Sequence, residues 1–252
     1  MTEIDSPCFI EADWPLAGKV SACTTTRVGG VSKTPYDSFN LAAHVDDSVE
    51  AVVNNRRMLR EELDLPADPV WLEQVHGNAV VDAASVKDIP QADASFTTQP
   101  GVVCAVLTAD CLPVLFSTRD GGAVAAAHAG WRGLAEGVLE VTVQKLVSAA
   151  GVEAADVVAW LGPAIGPDAF EVGSEVVKAF TDIGTELDTA FEAGRKGHWQ
   201  ADLYSLARGL LNRCGVSEIY GGGRCTFSEQ ELFYSYRREQ KTGRMATLIY
   251  IK

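Results

Sequence analysis

Apolar and polar positions along this 252-residue chain switch repeatedly between a period of two and a period of 3.6. Residues 20–26 form a β-rich apolar run closed by Val28-Gly29-Gly30, which predicts a strand. Asp47-Ser48 can cap a helix whose stripe of Val49, Val52, Leu59 and Leu63 stops before Pro66. Residues 70–76 alternate as a strand does, with 79–83 as the expected partner. Two further apolar runs, 101–107 and 112–116, are separated by Thr108-Ala109-Asp110-Cys111.

Residues 123–128 are small and apolar, followed by Ala129-Gly130-Trp131-Arg132-Gly133 and a helical stretch over 134–149. That order reads as strand, glycine-bearing turn, helix. Residues 157–161 predict another strand, ending in Gly162-Pro163-Ala164-Ile165-Gly166-Pro167, and helices are expected over 175–183 and 203–214. Runs at 232–238 and 245–251 flank Thr242-Gly243, which predicts a hairpin. Strands and helices mix throughout and no internal repeat occurs. The expected class is therefore α/β or α+β with mixed sheets, as one continuous domain over residues 1–252.

Composition narrows the function. The chain is 47% apolar and 22% charged, enough to bury a substantial core. A net charge of −13 repels phosphate backbones and anionic bilayers, which argues against nucleic-acid or membrane partners. A small anionic substrate then needs a local convergence of arginines. The opening residues lack a basic segment followed by an apolar one, and no stretch of 18 apolar residues occurs, so a soluble cytoplasmic protein is expected. Six cysteines without a Cys-x-x-Cys pair suit reduced thiols better than a disulfide scaffold or a zinc ribbon.

Histidine is scarce: His44, His76, His128 and His198. His76, Cys111 and His128 each fall at the end of an expected strand, where side chains converge on one rim of a sheet. Two imidazoles and a thiolate match a catalytic zinc set that leaves the fourth tetrahedral position to water. The spacings of 35 and 17 residues are not a finger pattern. The same atoms also suit a Cys111 nucleophile with His76 or His128 as its base, and both readings need a deprotonated sulfur beside imidazole. Arg27 before Val28-Gly29-Gly30, and Arg132 at an expected helix start, are either anion-binding groups or ordinary turn arginines. Asn40 and His44 are either structural polar groups or substrate contacts, and His198 beside Lys196 reads as a solvated loop residue.

Several stretches occur together and in order: Cys23-Thr24-Thr25-Thr26-Arg27-Val28-Gly29-Gly30, Asn40-Leu41, Trp71-Leu72-Glu73-Gln74-Val75-His76, Thr108-Ala109-Asp110-Cys111-Leu112-Pro113, and His128-Ala129-Gly130-Trp131-Arg132-Gly133. Leu161-Gly162-Pro163-Ala164-Ile165-Gly166 and Phe233-Tyr234-Ser235-Tyr236-Arg237-Arg238 follow. In these the chain resembles the YfiH-type laccase-domain family, whose members are also called purine nucleoside phosphorylases or peptidoglycan editing factors. The resemblance implies a single-domain four-layer α/β/β/α sandwich and a zinc held by His76, Cys111 and His128. It implies phosphorolysis of adenosine, inosine, guanosine and methylthioadenosine, with adenosine deamination as a second activity.

On that resemblance Arg27 and Arg132 would hold phosphate, Asn40 and His44 would meet the ribose or base, and Asp110 is one candidate proton donor to the leaving purine. The alternative implied activity is amide hydrolysis of UDP-N-acetylmuramoyl-L-serine, with Cys111 as a possible nucleophile. A monomer is expected. The older family label, a copper polyphenol oxidase, fails on ligand count: a multicopper site needs many more imidazoles than four. Copper could still occupy the single site adventitiously.

Overall fold

The computed structural model of the protein describes residues 8–16 and 18–252. In chain order the main elements are β1 (Phe9–Glu11), β2 (Val20–Thr25), α1 (Val49–Glu62), β3 (Val80–Asp82), β4 (Ala94–Thr97), β5 (Cys104–Thr108), β6 (Leu112–Thr118) and β7 (Val124–Ala129). They continue with α2 (Trp131–Ala135), α3 (Val138–Ala150), β8 (Val157–Leu161), β9 (Glu171–Gly173), α4 (Ser174–Thr181), β10 (Phe191–Ala193) and β11 (His198–Ala201). The last are α5 (Leu203–Arg213), β12 (Glu218–Gly221), α6 (Tyr236–Glu239) and β13 (Met245–Ile251).

Among the described residues the strands form three sheets. One has the order β1-β2-β13-β5 and is antiparallel. The largest runs β12-β8-β6-β7-β4-β3 and is mixed, with parallel pairs at both edges. A small antiparallel sheet has the order β10-β11-β9.

The alternation of side chains along a strand sets the layers. Ala22, Cys104, Val106 and Ile249 of the four-stranded sheet face Leu115, Val124, Ala126 and Val158 of the six-stranded one. The opposite face of the larger sheet, including Val114, Phe116, Ala125 and Ala127, packs on Leu139 and Leu146 of α3 and Leu206 and Leu210 of α5. The outer face of the smaller sheet, including Ala105, Leu107 and Leu248, packs on Leu59 of α1. Helix, sheet, sheet and helix thus stack in four layers, as the resemblance implies.

The structure departs from the sequence expectation in four places. Residues 70–76 are not a strand; they run through isolated bridges at Val70↔Cys104 and Glu73↔Gln91. The strand at Val80–Asp82 instead pairs in parallel with Ala94–Thr97. The expected helix over 134–149 is two, because Gly137 takes φ 85° and breaks it between α2 and α3. Residues 232–238 form no hairpin with β13, which is already paired on both sides by β2 and β5. Ser235 caps the short α6 there, accepting the N–H of Arg238.

Candidate metal centre and substrate cavity

The pairing of β6 with β7 brings two of the three candidate ligands together. Leu112 lies opposite Ala129 and Pro113 opposite His128, so Cys111, just before β6, enters beside the end of β7. By the period of two, His128 shares the inter-sheet face with Val124 and Ala126. It is 3% exposed. Cys111 is reached as the chain crosses from β5 in one sheet to β6 in the other. His76 arrives from the irregular segment before β3, with φ 63°.

Asp93 fixes this arrangement. Its buried carboxylate accepts Nδ1–H of His128 at 2.8 Å and the backbone N–H groups of Val75, His76 and Gly77 at 3.1, 2.9 and 2.8 Å. Burial alone would raise its pKa, but the hydrogen bonds from His128 and Gly77 outweigh it and hold Asp93 below the usual range. With Nδ1 committed, His128 turns Nε2 toward the cluster.

The donor atoms of His76, Cys111 and His128 lie within 4.8 Å of one another. Cys111 Sγ is 3.9 Å from His76 Nε2, and the two imidazoles meet edge to face with centroids 4.8 Å apart. Burial pushes the Cys111 thiol up, yet the charge of His128 and hydrogen bonds from both histidines bring it to about 6. Desolvation opposes the His128 imidazolium, but Cys111 and Asp93 raise its pKa overall. A Cβ on Gly130 would fall 2.9 Å from Cys111 Sγ and 3.3 Å from His76 Cδ2, so only glycine leaves the sulfur its place. Two imidazole nitrogens, a readily ionised thiol and a carboxylate orienting one imidazole make a donor set that can hold a metal ion.

The cluster lies in a cavity of about 500 Å³. His44, Asp110 and Arg132 line it, together with Phe170, Tyr236, Arg237 and Arg244, to which the sequence assigns no role. Three guanidiniums rest against aromatic rings: Arg132 on Trp131, Arg237 on Phe170 and Arg244 near Tyr236, at 4.5, 5.4 and 5.8 Å. Arg237 donates to the carbonyls of Ala169 and Glu171, and Arg244 to those of Thr242 and Gly243. An anion can therefore meet positive charge here even on an acidic chain.

Two expected substrate contacts lie elsewhere. Arg27 lines a separate surface hollow and is engaged by Glu239, the Asp37 carbonyl and the Gln230 carbonyl. Its guanidinium joins the start of the chain to the C-terminal segment. Asn40 is fully buried, and its amide oxygen accepts the N–H groups of Ala42 and Arg244 while its NH₂ donates to Ala42 and Asp47. It shapes the turn carrying Arg244 rather than lining the cavity. Asp110 lines the cavity, but chain donors engage both of its carboxylate oxygens. His198 forms β11 on the small sheet, where its Nδ1 faces the Lys196 carbonyl.

A mixed α/β sandwich with a His–Cys–His cluster at the junction of its sheets defines a protein class with a candidate metal site beside a basic cavity. The family model described as multi-copper polyphenol oxidoreductase laccase matches residues 21–252. The chain is 52% identical to a purine nucleoside phosphorylase of Pseudomonas aeruginosa, over 97% of this chain and 98% of that one. It is equally 52% identical to purine nucleoside phosphorylase YfiH of Escherichia coli, over 96% and 98%. A crystal structure of a Neisseria meningitidis protein superposes with a TM-score of 0.92 at 50% identity, over 98% of this chain and 100% of that one. YlmD from Geobacillus stearothermophilus gives 0.92 at 32% identity, over 99% and 98%. The chain belongs to the YfiH-type laccase-domain family.

Proposed function

We propose that this protein is a zinc-dependent purine nucleoside phosphorylase, acting on adenosine, inosine, guanosine and methylthioadenosine, with adenosine deamination as a second activity. The observation that carries the reading is one cavity holding both the His76–Cys111–His128 donor set and the guanidiniums of Arg132, Arg237 and Arg244. The names of its relatives support the substrate class.

In phosphorolysis a phosphate oxygen forms a bond to ribose C1′ as the bond from C1′ to the purine nitrogen breaks, and the base leaves with the bonding pair. The three arginines would gather and orient the phosphate dianion against C1′, replacing its hydration with fixed donors. Tyr236, 55% exposed, and Phe170 offer ring faces to the purine. His44, its pKa lowered by burial and by Arg244 and Arg56, offers a neutral imidazole to ribose or base. Zinc, held by His76, Cys111 and His128, would supply Lewis-acid polarisation of a bound oxygen.

A second reading, amide cleavage of UDP-N-acetylmuramoyl-L-serine, draws on the same guanidiniums, since three suit a diphosphate as well as one phosphate. A nucleoside panel with and without phosphate tests the main reading. Purine release only when phosphate is present is expected, with Arg132→Ala raising the KM for phosphate more than that for nucleoside. Release that ignores phosphate, or cleavage of the muramoyl nucleotide alone, would overturn it.

A further inference from the structure

We propose, on the phosphorolysis reading above, that Asp110 is a positioning residue. Its carboxylate clamps the segment bearing Tyr236 and Arg237 onto the crossing that bears Cys111, so one side chain sets the anion-binding wall relative to the metal ligands.

Asp110 sits in the left-handed region at φ 88°, a conformation that Asp and Asn tolerate better than most residues. Its Oδ1 accepts the Thr226 hydroxyl at 2.6 Å, and Oδ2 accepts the Ser235 hydroxyl at 3.0 Å and the Arg237 N–H at 2.7 Å. Its own carbonyl accepts the Ile165 N–H at 2.9 Å. A single residue thus ties together three loops distant in sequence. Two of them bring Ile165, Tyr236 and Arg237 to the cavity, and the residue after Asp110 is Cys111.

Asp110, Thr226 and Ser235 are all buried, so water does not compete for these bonds. A general acid must turn a proton toward the leaving group within hydrogen-bond reach. Here both oxygens are taken up by chain donors, one of them a backbone N–H that can only donate. Asp110 acts on the substrate through Arg237 and Tyr236, which it holds, and not by direct contact.

The test compares Asp110→Asn, Asp110→Ala, Ser235→Ala and Thr226→Val. Asparagine tolerates the backbone conformation. Its amide oxygen can still accept from Ser235 and Arg237, while its NH₂ donates to the Thr226 hydroxyl. Asp110→Asn is therefore expected to keep kcat within about threefold, and Ser235→Ala and Asp110→Ala to raise the phosphate KM about tenfold with less change in kcat. Ser235→Ala and Thr226→Val leave Asp110 itself in place, so they decide the matter should Asp110→Ala fail to fold.

Hydrogen exchange at the Arg237 amide, measured on metal-free protein, should speed up in Ser235→Ala and Asp110→Ala and stay slow in Asp110→Asn. The acid limb of the kcat profile should be unchanged in Asp110→Asn. Loss of turnover in Asp110→Asn as complete as in Asp110→Ala, with exchange unaltered, would overturn the clamp and make Asp110 the proton donor. If wild type released no purine with phosphate present, the phosphorolysis reading would fail, while the exchange result would still decide the clamp.

Discussion

His128 and Asp93 share a 2.8 Å hydrogen bond in which the imidazole Nδ1–H meets a carboxylate that also holds the backbone around His76. One buried acid therefore orients one candidate ligand by its ring and another by its main chain. Such outer partners fix the ring tautomer and raise the basicity of the ligand nitrogen.

Asp93→Asn should accordingly lower metal affinity by about 10–100-fold. An amide cannot accept from His128 and all three N–H groups with two carboxylate oxygens' capacity. Competition against a chelator of known affinity measures it. Retention equal to wild type would show that Asp93 serves only the fold.

Gly130→Ala places a methyl carbon where only 2.9 Å separates it from Cys111 Sγ. The expected outcome is partial loss of metal with little change in unfolding temperature of the metal-free protein, because Gly130 has φ −64° and takes a side chain without backbone strain. Elemental analysis beside a melt separates the two. Full occupancy would mean that the sulfur is not a ligand.

Thiol reactivity should divide the cysteines. In metal-free protein Cys111, at about 6, is largely thiolate at pH 7, while burial pushes Cys23 and Cys104 up to about 12. Iodoacetamide labelling followed by peptide mass analysis should mark Cys111 first, and its rate should fall below pH 6. Equal labelling of Cys23 would contradict the assignment.

Glu239 predicts an acid-side loss of stability. Burial would raise its pKa, but hydrogen bonds from Thr242 and Arg27 and the charge of Arg27 outweigh it, so the folded value lies below the ordinary one. Its contribution is complete above the unfolded value of about 4.3 and is lost as pH falls through the depressed folded value. Glu239→Gln should lower stability by roughly 1–2 kcal/mol at pH 7 and flatten this acid dependence. Denaturant melts at pH 7 and pH 3 give both numbers; a constant difference between the two would refute it.

The cluster was legible because Cys111 and His128 flank strongly apolar runs, where a polar side chain has few structural uses. Asp93 was not, because its partners, the His128 ring and the backbone N–H groups of Val75, His76 and Gly77, lie far from it in sequence. The available signal was a lone acid between Ala92 and the strand Ala94–Thr97. Arg237 stood in a motif without a role, and Arg244 beside Gly243 looked like hairpin punctuation. Both reach the cavity through contacts over 100 residues away, with Asp110 and Asn40, which no local period encodes. Arg27 misled for the converse reason: an arginine before two glycines suits an anion, but Glu239 already occupies it.

Ala109, Asp110 and Cys111 make the short crossing from β5 in one sheet to β6 in the other. An ion held by His76, Cys111 and His128 would work as a rivet beside that crossing, adding to the apolar contacts and to hydrogen bonds such as Trp160 Nε1–H to Asp13 that already join the layers. By mass action such a fastener adds about 2.7 kcal/mol when free metal stands at 100 times its dissociation constant. Protein prepared in a strong chelator would then resemble a folding mutant although every residue is intact.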